Sequence, residues 1–333
     1  MSRVVVAVSV IVVQIFLGGT GCATTSTAIH RVTSEQRAIT RRPPPPGVAP
    51  AIEPLRFVDD GRFAYVDGVT GKALDFADVV ARVKAHRVVV VGEQHDQPQH
   101  HEAQRRVIAA CGQAGPGLVV GLEMLTWDTQ PTLDGLNRGE LDIFAFAAAV
   151  DWKTAWGFDF ALYAPLFSTG REVGARFVAL NAPKDLVRAL RKDGIEGLSA
   201  DDAARLPELD LGDALHRRWF EGIFRSAGHP LKGEEVDGFY RAQVLWDEAM
   251  ADRTVAALQD GARQVVVVAG AGHVAAGRGI PQRVERRLDG ERVLTIVPMT
   301  VDAGSVDAAL RAAIENAEAD ILVIPRFEAE IFL

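Results

Sequence analysis

Cysteine is scarce in this 333-residue chain, which has two, Cys22 and Cys111. No disulfide framework can be built from so few, and a core of this size does not need one. Cys111 ends the apolar helical stretch Val107-Ile108-Ala109-Ala110 and reads as a buried free thiol. A basic surplus is also missing. Net charge is −8, and the first 50 residues hold five Arg against one Glu, so the rest of the chain carries −12. A body that acidic excludes nucleic acid as a general partner. Tyrosine is rare as well, at three residues: Tyr65, Tyr163 and Tyr240. The apolar run from Val4 to Leu17 falls short of the ~20 residues a membrane-spanning helix needs. There is no internal repeat.

What the start of the chain does hold is the pattern of an export signal. Arg3 precedes the apolar run, and Gly18-Gly19-Thr20-Gly21-Cys22 follows it. Small residues ending in Cys resemble a lipobox, with Gly19 standing where Leu is usual. Residues 1–22 are therefore expected to be a signal peptide, with Cys22 acylated in the mature protein. That reading places the protein in a bacterial cell envelope, lipid-anchored to a membrane. Residues 23–54 contain Pro43-Pro44-Pro45-Pro46, a stiff extended spacer without a core of its own.

Residues 55–333 read as one folded domain. Six short apolar runs stand out: Arg87–Gly92, Gly117–Leu122, Arg176–Leu180, Gln264–Ala269, Val293–Val297 and Ile321–Ile324. Several are apolar at consecutive positions, as strands buried on both faces of a parallel sheet are. Helical patterns separate them at Gln99–Ala110, Ala161–Val173, Pro183–Arg191 and Glu234–Gln259. The alternation predicts an α/β fold with a mostly parallel central sheet flanked by helices. Phe63–Thr70 with its Asp67-Gly68 predicts a hairpin ahead of the first helix. The long gap between the third and fourth strands contains helical stretches at Leu198–Leu206 and Asp213–Phe224. No Pro- or Gly-rich boundary isolates it, so it reads as a helical insertion or lid.

In open α/β sheets ligands bind beyond the carboxyl ends of the strands. The first four runs are followed by Glu93 and His95, by Glu123, by Asn181 and by His273. Two His, two Glu and an Asn on one rim could bind a divalent metal ion through Glu93, His95, Glu123 and His273. They could act without metal, one His serving as a base held by a carboxylate. An imidazole could also ligate haem iron. Helix capping is the plainer alternative for any one of them. Gly270-Ala271-Gly272-His273-Val274-Ala275 loosely fits a dinucleotide fingerprint, but it comes late in the chain. Two G-x-x-H loops, Gly92–His95 and Gly270–His273, describe these residues better. His100 and His101 open the first long helix, one expected to face the site and the other solvent. Gln243, Asp247 and Met250 share a helix face that could point at the crevice, although Trp246 and Met250 could equally be core.

The duplicated G-x-x-H resembles the signature of the Tiki/TraB superfamily, and within it the chain is similar to the ChaN family. The resemblance rests on Gly92-Glu93-Gln94-His95-Asp96 with His100, His101 and Gln104, on Gly121-Leu122-Glu123-Met124, and on Tyr163-Ala164-Pro165-Leu166. It continues through Ala179–Pro183, Gln243–Ala251, Gly270–Val274 and Gly279–Arg283. It implies a haem-binding lipoprotein for haem or iron uptake, with a homodimer as the family name suggests. Among superfamily relatives it implies instead a metal-dependent protease or an erythromycin-esterase-like hydrolase, with Glu93, His95, Glu123 and His273 as the chemistry-bearing residues. For haem, Tyr163 is the favoured ligand among the tyrosines, with His95, His100, Asn181 and His273 as further cofactor-binding candidates.

Overall fold

A computed structural model describes residues 51–58, 61–226, 233–302 and 304–326. The expected signal peptide, Cys22 and most of the tether lie outside the described residues. Among those residues no helix is long and apolar enough to cross a membrane.

All six expected strands form. In chain order the strands are β1 (Phe57–Val58), β2 (Phe63–Asp67), β3 (Ala73–Leu74), β4 (Val88–Val91), β5 (Leu118–Thr126), β6 (Arg176–Asn181), β7 (Gln264–Val268), β8 (Leu294–Pro298) and β9 (Ile321–Pro325). They make one sheet in the order β1-β2-β9-β8-β4-β7-β5-β6, with β3 paired to β2. The six strands from β9 to β6 run parallel. The first three are antiparallel additions at one edge. The expected hairpin is β2–β3. Its turn is tied by Asp67, whose Oδ1 accepts from the Val69 and Thr70 backbone N–H groups at 3.0 and 2.7 Å.

The helices are α1 (Phe76–Ala85), α2 (Pro98–Gly112), α3 (Gln130–Asn137), α4 (Ile143–Ala149), α5 (Trp152–Trp156), α6 (Phe160–Glu172), α7 (Lys184–Asp193), α8 (Ala200–Arg205), α9 (Ala214–Ser226), α10 (Glu234–Gln259), α11 (Ile280–Arg287) and α12 (Val306–Glu315). The valine runs make sense once both sheet faces are covered. Val89, Val91, Val266 and Val268 pack against α1, α2 and α6. Val88, Val90, Val265 and Val267 pack against α10, α11 and α12. Side chains alternate across a strand, so an unbroken valine run feeds both cores. Each such side chain contributes roughly 1.5–3 kcal/mol by its burial. Cys111 sits in the first of these cores, and burial pushes its thiol up to about 12.

Connections that step towards β6 run over one face, through α2 and α6. Those that step back, through α10, α11 and α12, run over the other. This division is what crossovers of a single hand require. The long gap between β6 and β7 is helical as expected. Its main helix, α10, packs on the sheet and against α7 and α11, with Asp247 and Glu248 facing inward.

Candidate functional site

The carboxyl ends of β4, β5, β6 and β7 share one rim and bring the expected residues together there. The two G-x-x-H loops lie side by side. The Ala271 N–H donates to the Glu93 carbonyl at 2.8 Å. Gly92 packs close beneath this junction: a Cβ on it would stand 3.4 Å from the Ala271 backbone. Gly279 supports the second loop from behind. A Cβ there would meet the His273 carbonyl oxygen at 2.1 Å, so no larger residue fits without moving the loop.

The first loop builds its polar cluster on Glu93, which is buried. Glu93 Oε1 accepts from His95 Nδ1 at 2.6 Å and from the Tyr163 hydroxyl at 2.8 Å. Its Oε2 pairs with His101 Nδ1 at 3.1 Å. Burial alone would raise the Glu93 carboxyl, but the hydrogen bonds from His101 and His95 hold it well below the ordinary carboxylate range. His101 faces acceptors on both nitrogens: Glu93 and the Gln104 Oε1 (3.2 Å) at Nδ1, the His95 carbonyl (3.1 Å) at Nε2. Against the desolvation that opposes charge, these acceptors raise its pKa, and both nitrogens are placed as donors.

His95 is different. Its Nδ1–H is held by Glu93, while its buried Nε2 has no hydrogen-bond partner among the described residues. Burial opposes charge on the ring, but the Glu93 hydrogen bond and the charges of Glu123 and Glu93 raise its pKa; in the neutral ring the Glu93 bond keeps the proton on Nδ1 and leaves the lone pair on Nε2. Trp156 and Phe158 cover the ring, with centroids 4.8 and 5.1 Å away.

In the second loop His273 has a partner on each ring nitrogen. His273 Nδ1 donates to Asp247 Oδ1 at 2.6 Å, and its Nε2 lies 3.3 Å from Glu123 Oε1. Burial would lower its pKa, yet the charges of Glu123 and Asp247 raise it to about 10. Glu123 Oε2 accepts from the Gly270 N–H. Asp247, also buried, faces His216 Nε2 at 3.4 Å and Arg283 Nη1 at 3.9 Å. Arg283 Nε continues the chain to Glu248 Oε1 at 3.2 Å, and Arg286 and Arg287 close it at 2.8 and 2.7 Å.

The remaining candidates have structural partners. His100 Nδ1 accepts from the Gln94 N–H at 2.9 Å and its Nε2 meets Thr300 Oγ1 at 3.2 Å. Burial brings its pKa down to about 4. The expectation that one of His100 and His101 faces solvent is corrected: both are buried. Asn181 spends its amide on backbone, donating to the Glu123 carbonyl at 3.0 Å and accepting from the Ala182 N–H at 2.9 Å. Tyr163 is fully buried. Its hydroxyl donates to Glu93 and accepts from Trp156 Nε1 at 2.9 Å. Burial and the neighbouring Glu93 charge raise its pKa well above the usual value, so the tyrosinate form is disfavoured. The divalent-metal expectation for Glu93, His95, Glu123 and His273 is not supported: among the described residues no three His, Cys, Asp or Glu side chains are arranged to hold a metal ion. The carboxylate oxygens are taken up by imidazole and backbone N–H groups instead. The Gly270 N–H points at Glu123 rather than outward, which removes the dinucleotide reading of that loop.

A family described as haem-binding uptake, Tiki superfamily, ChaN matches residues 79–284, more than half of the chain. The chain belongs to that family. Among solved structures, ChaN of Campylobacter jejuni, determined for its cofacial haem binding, aligns at 18% identity with a TM-score of 0.59, covering 82% of this chain and all of that one. That likeness shows the fold. An erythromycin esterase in its open conformation aligns at 12% identity and a TM-score of 0.44, covering 78% of this chain and 95% of the esterase. Among curated proteins, the chloroplastic RETICULATA-RELATED 5 of Arabidopsis thaliana is 26% identical over 232 residues, 63% of this chain. The chain matches only 31% of that relative's length.

The family match opens in α1 and closes in α11, so it spans both G-x-x-H loops and α10. Within it lie site residues that the sequence reading left without a role: His216, Glu248 and Arg283 behind His273, and Trp156 and Phe158 over His95. Arg283 was visible at the end of the Gly279–Arg283 block. His216, Trp156 and Phe158 carry no spacing signal, because they reach the site from separate helices and a loop. Gln243 and Asp247 do point at the crevice, where Gln243 Nε2 lies 3.0 Å from His273 Nδ1. Met250 from the same face is core, and Trp246 is partly buried with its ring edge-on to His273.

Proposed function

We propose that the protein binds haem for haem or iron uptake at a bacterial cell envelope, exported by its leader and held at a membrane by lipid on Cys22. Membership of the ChaN family supports the haem part of this reading. The leader and spacer patterns of residues 1–54 support the tether. The observation that carries it is the His95 Nε2, an imidazole nitrogen with no hydrogen-bond partner among the described residues, whose other nitrogen is fixed by a carboxylate. A metal-ligating histidine is typically oriented in this way. Bound haem would be held through its iron by the His95 Nε2 lone pair. Glu93 fixes the tautomer and orientation of His95, and His101 and Tyr163 hold Glu93 in turn. Tyr163 then acts as a support rather than as the ligand, because both capacities of its hydroxyl are used. His273 is not the ligand either, since its Nε2 faces Glu123. Pairing of two copies belongs to the same reading.

The test is a haemin titration of the purified full chain in detergent, followed by visible absorbance. A saturable Soret band is expected, to be lost or shifted in His95→Ala and kept in Tyr163→Phe. A wild-type chain that gives only the spectrum of free haemin would remove the reading. Sedimentation with and without haemin tests the pairing of copies.

The same orphaned nitrogen favours a second reading, a hydrolase without metal. His95 would be the carboxylate-held general base, with Glu123 and His273 nearby. Turnover of a panel of esters and amides by the metal-stripped chain, abolished in His95→Gln, is the result that would promote it.

A further inference from the structure

His95 Nε2 is closed off from solvent, yet an open cleft begins one side chain away. The cleft has a volume of about 530 Å³ and lies over α4 and α5 and the loop into α6. Its walls include Trp152, Phe158 and Phe160, and its charged side chains are Lys153, Asp151 and Asp159. Phe158 forms part of this wall and also covers the His95 ring at 5.1 Å. Beyond Phe160 stands Phe144, 67% exposed, with its ring 5.9 Å from that of Phe160. An exposed aromatic beside an aromatic cleft extends the apolar surface available to a flat ligand.

The segment between cleft and imidazole has the features of a removable cover. α5 is only five residues long and lies between two left-handed residues, Asp151 (φ 46°) and Gly157 (φ 97°). Asp151 pays a steric cost in that conformation, which glycine at 157 does not. Trp156 is held at its indole by one hydrogen bond, to the Tyr163 hydroxyl. Trp152 is the anchored end: it is buried, and its Nε1 donates to the Phe158 carbonyl at 3.1 Å.

We propose that the α4–α6 cleft and the His95 imidazole are two ends of one ligand site, and that a planar, largely apolar ligand with a carboxylate reaches Nε2 by turning Phe158 and Trp156 aside. The volume falls in the range of small-molecule sites, roughly 300–1,000 Å³. Phe160 and the exposed Phe144 offer aromatic surface to the planar body, and Lys153 offers the charge for the carboxylate. The ligand class rests on the haem reading given above; the passage from cleft to imidazole does not.

The passage is tested on the full chain without ligand, by diethyl pyrocarbonate modification followed residue by residue with mass spectrometry. Phe158→Ala and Trp156→Ala should each raise the rate at His95 about tenfold or more, with His273 unchanged. Equal rates at His95 in wild type and both variants would overturn the passage. So would a parallel rise at His273, which would mean general loosening. The ligand end is tested with Ala148→Trp, which fills the cleft wall away from His95. Haemin affinity should fall about tenfold while His95 reactivity stays as in wild type; unchanged affinity would overturn the cleft as the ligand's seat. Failure of wild type to take up haemin at all would strike the haem reading and leave the modification result to judge the passage.

Discussion

The two G-x-x-H loops share a backbone plan and reach opposite electrostatic ends. In the first, one carboxylate serves three partners, His95, His101 and Tyr163, and His95 keeps a nitrogen in reserve. In the second, one imidazole serves two carboxylates, Glu123 and Asp247, and keeps nothing. The motif alone therefore does not say which histidine can meet a ligand. The acids around it decide. Glu93 comes from the first loop itself, two residues before the histidine, and reaches only Nδ1. Asp247 comes from α10 and Glu123 from β5, one on each side of the ring. The second loop is built as a fixed charge and the first as a poised base.

The largest effect that could break this contrast is expected from Asp247→Ala. It leaves His273 and Arg283 buried without a shared counter-charge, and removing one partner from such a cluster costs about 3–5 kcal/mol. Urea denaturation should show that loss. A change below about 1 kcal/mol would mean the second loop is not held by charge.

An intermediate effect concerns pH, where His273 and His100 should pull in opposite directions. His273 has its pKa raised to about 10 when folded. Its stabilising contribution is full below the unfolded value near 6.5 and is lost as pH rises through about 10. His100, on the first side, has its pKa lowered to about 4. Its neutral form is favoured by folding, so its contribution is present above about 6.5 and is lost as pH falls towards 4. Denaturation midpoints against pH should fall off on both sides, the alkaline limb flattening in His273→Gln and the acid limb flattening in His100→Gln.

The smallest expected effect is that of Tyr163→Phe. It removes one hydrogen bond to Glu93 and one from Trp156, for a loss of roughly 1–2 kcal/mol. The carboxylate keeps His95 and His101, so the position of any Soret band should not move. A shifted band would restore Tyr163 as a ligand.

Much of the fold was legible in the sequence for a simple reason. Buried parallel strands need apolar residues on both faces, and Val88–Val91 and residues 265–268 show that as unbroken runs. The rim residues followed from where those runs stop. Glu123 was placed by the same rule, although β5 itself runs on to Thr126 through an irregular register after Leu122. What the sequence could not show was which nitrogen of which histidine is spent. That depends on side chains that arrive from distant elements, such as Asp247, His216 and Tyr163, and on Trp156 and Phe158 in a segment without helical periodicity. His100 and His101 are neighbours in the chain, yet one is turned to Thr300 and the other to Glu93.

The most direct test of the central contrast is the ¹⁵N NMR spectrum of the histidine rings in the unliganded chain, followed as pH is raised. His95 should lose its Nε2 proton first and keep the one on Nδ1, while His273 still carries both. Two rings in the same protonation state at every pH, or His273 losing a proton first, would contradict the account.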